Sequence, residues 1–112
     1  MSLAMVRLSV ALRAHAHHER DVVEALRFLR AGTLLESGCH RCFAWIDPDS
    51  TIQYVEEWET ESDLRRHVRS ARFTSLLAVL EAAPERPDVQ FDFVTATRGL
   101  EYVAEIRQEP VE

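Results

Sequence analysis

The sequence predicts an α+β domain in which strands and helices follow the order β-α-β-β-α-β, with a short helix after them. Three observations predict it. Four segments repeat their apolar residues at every second position, two repeat them every three to four, and turn-forming residues separate the segments. At 112 residues this is one domain, covering residues 1–112. It is long enough to bury ~60–70% of its unfolded surface without disulfides or structural metal. Met1-Ser2-Leu3, ahead of a second methionine at Met5, carry no structural expectation.

Residues 5–14, MVRLSVALRA, set Val6, Leu8, Val10 and Leu12 on one face and Arg7, Ser9, Ala11 and Arg13 on the other. That period of two predicts a half-buried strand. HAHHERD is a polar connection; His15, His17 and His18 read as solvated loop histidines, with no further ligand at a fixed spacing. Residues 19–36 carry Val22, Leu26, Leu29 and Thr33 at helical spacing, widened by Val23 and Phe28. Gly38 is suited to a left-handed stop.

Residues 39–47 and 51–59 form two strands joined at Asp47-Pro48-Asp49-Ser50, a hairpin. Strict alternation puts Cys39, Phe43 and Trp45 on one face of the first, and Cys42, Ala44 and Ile46 on the other. The C-x-x-C pair then faces two layers and cannot share a metal or close a disulfide, so it reads as two small buried residues. Thr60 to Asp63 is a capping box opening the second helix. Its stripe, Leu64, His67, Val68 and Ala71, shifts phase to Phe73, Leu76, Leu77 and Leu80, which predicts a break near Ser70. Residues 88–97 alternate as a fourth strand, and Leu100, Val103, Ala104 and Arg107 fit a short helix. This is the ferredoxin-like split βαβ order, an antiparallel four-stranded sheet with two helices on one face. Apolar residues on the other face need a cover, most simply a second copy across a two-fold axis, so a homodimer is expected.

Charge narrows the function. Net charge is −6 and all thirteen basic residues are arginine, which argues against nucleic acid and excludes lysine Schiff-base chemistry. No apolar run is long enough for a membrane span and no secretory pattern opens the chain; a soluble, cytoplasmic protein is expected.

His67 lies on an apolar stripe. As a neutral imidazole it is a candidate base. Otherwise it is a buried peg between helix and sheet, its nitrogens satisfied by backbone or by Glu57. Tyr54 and Trp58 share a face of the third strand and read equally as pocket lining or as core. Of Glu56 and Glu57, which alternate faces, one is expected to meet solvent or an arginine and the other to be buried, where a carboxylate beside His67 would orient its imidazole. Arg7 is expected to meet acids such as Asp92 or Glu57 across the dimer layer.

Between residues 35 and 80, Gly38-Cys39, then Glu57-Trp58, then His67, Ser70 and Phe73 follow one another in an order that resembles the antibiotic biosynthesis monooxygenase family. These are dimeric α+β barrels, and the resemblance covers roughly residues 5–97. It implies oxygenation of a small phenol or hydroquinone by dioxygen, with no metal, flavin or haem as cofactor. It also implies His67 and Trp58 as catalytic residues, with Tyr54, Phe73 and Glu57 lining the pocket. Where some members carry an asparagine, this chain has Tyr54. Two alternatives are a binding or stress-response dimer without turnover, and haem binding. Haem would need a histidine farther along the second helix, where Leu76 and Leu77 stand.

Overall fold

The computed structural model describes residues 5–110, so Met1-Ser2-Leu3 lie outside it. The elements are β1 (Met5–Leu12), α1 (Glu19–Thr33), β2 (Cys39–Ile46), β3 (Ile52–Trp58), α2 (Glu61–Val68), α3 (Ala71–Glu81), β4 (Asp88–Val94) and α4 (Glu101–Gln108). The strands form one antiparallel sheet in the order β2-β3-β1-β4. The second predicted helix is indeed two, broken at Ser70. Its hydroxyl accepts from the Phe73 N–H at 3.2 Å and starts α3 anew. Thr60 caps α2 in the same way, accepting from the Asp63 N–H at 3.1 Å.

Gly38, at φ +86°, turns the chain from α1 into β2. A Cβ there would stand 2.2 Å from the Asp63 carboxylate. The turn Asp47–Thr51 closes on the Asp47 carboxylate, which accepts from the Asp49 and Thr51 N–H groups at 2.9 and 3.0 Å.

Even-numbered residues of β1 meet those of β3, and Leu8, Val10, Leu12, Ile52 and Tyr54 pack against Val23 and Leu26 of α1 and Leu76 of α3. Three expectations need correction. Phe28, Val68 and Leu77 are exposed, because the stripe that meets the sheet is narrower than the apolar pattern. The fourth strand ends at Val94. Cys39 and Cys42 face the same layer: a bulge between Cys39 and Arg41 pairs Cys39 with Trp58 and Cys42 with Glu56, two residues that share one face of β3.

The helices cover three strands only. Val89, Phe91 and Phe93 of β4 pair with Val10, Leu8 and Val6 and so point to the helical side, yet each is about half exposed.

Candidate active site

Alternation along β3 sends Tyr54, Glu56 and Trp58 inward together, all within 1% of complete burial. His67, near the end of α2, reaches down to them and is equally buried. Its ring lies 4.6 Å from that of Trp58 and 5.4 Å, edge-on, from Phe73 in the first turn of α3.

Glu56 organises the cluster. One carboxylate oxygen accepts from the Tyr54 hydroxyl at 2.5 Å and lies 3.0 Å from His67 Nε2; the other accepts from Trp58 Nε1 at 2.9 Å. His67 Nδ1 lies 3.0 Å from both oxygens of Glu36, which comes from the connection after α1. Arg72 donates to Glu36 at 2.6 Å. Two carboxylates facing both ring nitrogens favour an N–H at each, and so favour the imidazolium form of His67. Burial alone would lower its pKa; hydrogen bonding and charge from Glu56, then from Glu36, outweigh burial and raise it. Burial first, and the Glu56 charge second, push the Tyr54 hydroxyl well above the usual phenol range, so it stays protonated.

The structure therefore brings His67, Trp58, Tyr54 and Phe73 together and leaves Glu57 out. Glu57 lies on the opposite face of the sheet, 3.1 Å from Arg7 and 3.7 Å from Arg41 within the same chain. His67 sits between two acids, which favour its protonated form over the neutral imidazole that a base would need. With both nitrogens engaged it offers no lone pair to a haem iron. Glu36 is the residue the sequence reading missed, and of the two glutamates it weighed as a buried partner for His67 the structure places Glu56 there. Glu56 was legible, since it stands between Tyr54 and Trp58 on a strand of period two.

Both cysteines are free thiols. Burial, the largest influence on each, pushes Cys39 up to about 11 and Cys42 up to about 12. Surface clefts of 340–370 Å³ lie elsewhere. One, lined by Glu61, Leu64, Arg65, Val68, Arg69, Phe91 and Phe93, runs between α2 and β4. Its floor residue Leu64 packs on Trp58. The cluster itself is closed, and every buried side-chain nitrogen and oxygen among the described residues has a partner.

Solved structures share this fold. A conserved protein of Bacteroides thetaiotaomicron, described as a possible oxidoreductase, is 22% identical with a TM-score of 0.73, covering 82% of this chain and 99% of its own. A conserved protein of Methanosarcina mazei is 18% identical with a TM-score of 0.73, covering 82% and 94%. A structure described as an antibiotic biosynthesis monooxygenase is 17% identical with a TM-score of 0.67, covering 78% and 95%. No curated protein matches the chain. The family model for antibiotic biosynthesis monooxygenases matches residues 5–78, which hold Glu36 and the whole Tyr54–Glu56–Trp58–His67–Phe73 cluster. The chain belongs to the antibiotic biosynthesis monooxygenase family.

Proposed function

We propose that the protein is a homodimeric monooxygenase that oxidises a small phenol or hydroquinone with dioxygen at the Glu56–His67 cluster, using no bound cofactor. One observation carries the reading: a fully buried carboxylate, ringed by three donors, stands among aromatic side chains. The substrate hydroxyl gives its proton to Glu56. The phenolate passes one electron to dioxygen, and recombination of the two radicals forms the new C–O bond. The peroxide anion takes the proton back from Glu56, and loss of water, with the remaining C–H proton, then leaves a carbonyl where a CH₂ or C–H stood. One oxygen atom enters the product and the other leaves as water, with every electron supplied by the substrate. Protonated Glu56 holds His67 and Trp58 less tightly, and their N–H groups turn to the reduced oxygen. Entry requires Phe73 to move, and the helix break at Ser70 is the joint about which it would do so.

The outer sheet face supports the dimer. Phe43 and Trp45 are more than 40% exposed there, on the face that carries Val55 and the Arg7–Glu57 pair. A second reading, binding without turnover, draws on the closed state of the cluster. Oxygen uptake by metal-stripped protein, over a panel of hydroquinones and anthrone-like phenols, separates the two. Uptake above the protein-free blank that falls at least about 100-fold in Glu56→Gln supports oxygenation. His67→Ala should fall with it. Uptake equal to the blank across the panel, with a ligand bound, leaves only the binding reading.

A further inference from the structure

Among the described residues, two of the exposed apolar surfaces complement one another. The first is the cleft between α2 and β4, where Val68, Phe91 and Phe93 are each 40–53% exposed. The second is α4. At 3.6 residues per turn, Tyr102, Val103 and Ile106 share one side of that helix, yet α4 buries no residue at all. It also stands away from the body. The radius of gyration is 17.1 Å, against about 13 Å for a compact chain of this length. Eight residues are too few for a helix to hold in water by itself, since isolated helices shorter than about 12 residues are marginal. Something has to cover its apolar side.

Resting on the dimer proposed above, we infer that α4 is a strap that lies in the α2–β4 cleft of a second copy of this chain, each copy covering the other. One charge pair fits. The α2 rim of the cleft carries Glu61 and Arg65, paired with each other at 2.8 Å, and Arg69, which has no ion-pair partner among the described residues. On α4, Glu105 pairs with Arg98 of its own chain, and Glu101, which has no ion pair among the described residues, is the acid that would face Arg69. The connection Thr95–Gly99 has no regular secondary structure, and five residues can span at most about 17 Å, enough to cross to a neighbouring surface. The chain's own cleft stays open although only residues 95–100 separate α4 from β4, so the strap is not seated at home. A two-fold exchange fills both clefts with one contact type and leaves no end unsatisfied. It also seals Leu64, the residue between the cleft and Trp58.

The test replaces Val103 with photoreactive benzoylphenylalanine in the full chain. Equal amounts of unlabelled and heavy-isotope-labelled protein are mixed, unfolded, refolded together and irradiated. Cross-linked peptides joining α4 of one isotope to residues 61–69 or 88–94 of the other are expected. Cross-links to those segments only within one isotope mean that α4 folds back on its own chain, and overturn the strap. Cross-links to neither segment overturn it as well. Light scattering on the same sample separates the two readings: a dimer without exchange cross-links sinks the strap alone, whereas a monomer sinks the dimer too. As a second measurement, Val103→Asp with Ile106→Asp should weaken dimerisation at least about tenfold in a dilution series. These exposed positions make no core contact, so the variant keeps its fold. Unchanged dimerisation counts against the strap.

Discussion

Replacing Glu56 by Gln should make the protein lose stability most at acid pH. The carboxylate accepts from three donors, and an amide can accept on one side only. The least costly rearrangement turns the amide NH₂ toward Tyr54 and His67 and its oxygen toward Trp58. Tyr54 can then accept, but His67 can do so only with a neutral Nε2. In the wild type the folded pKa of His67 is raised, so its charged-state stabilisation is fully present below the ordinary value of about 6.5 and is lost as pH rises through the folded value. The variant lacks that contribution. Breaking a buried pair from one side costs about 3–5 kcal/mol, so at about pH 5.5 the gap should be of that size and should narrow as pH climbs. With a urea slope of about 1.5 kcal/mol/M, the midpoint falls by about 2–3 M. Urea titrations at several pH values, followed by tryptophan fluorescence, read this directly. A gap below about 0.5 kcal/mol at acid pH, or one that widens as pH rises, would refute the imidazolium assignment.

Other outcomes follow from the same contacts. Glu36→Gln removes the second acid and should lower the His67 pKa, visible in the pH titration of its ring proton signals by NMR, while costing less stability than Glu56→Gln because Glu36 is partly exposed. Gly38→Ala forces a Cβ into the Asp63 carboxylate at positive φ and should lower Tm by at least about 4 °C in calorimetry. Ser70→Ala removes the cap of α3 and should cost about 0.5–2 kcal/mol in urea. It should also raise hydrogen exchange at Phe73 and Thr74 more than in β3.

Much of this architecture is legible locally. A period of two marks all four strands, Thr60 and Ser70 announce helix starts within three residues, and Gly38 marks the turn it makes. What escaped depends on pairing between distant segments. The bulge near His40 changes the face of Cys39, and only the register against β3 reveals it. Glu36 reaches His67 from 31 residues away, out of a connection with no periodicity. The apolar side of β4 implied burial, but α1, α2 and α3 reach only across β2, β3 and β1. The site shows the same division. Parity along β3 places Tyr54, Glu56 and Trp58 together and Glu57 apart. The second acid, Glu36, which helps raise the His67 pKa, has no signature in sequence.

The bulge in β2 has a further result for a protein exposed to oxygen. It turns Cys39 to the side that Cys42 already faces, and there pKa values of about 11 and about 12 leave ~10⁻⁴ or less of either thiol as thiolate at neutral pH. Oxidation of cysteine to sulfenic acid begins from the thiolate, so neither sulfur offers peroxide or superoxide a ready starting point. A one-residue irregularity at a strand edge thus gives the chain chemical endurance under the conditions its proposed reaction would impose.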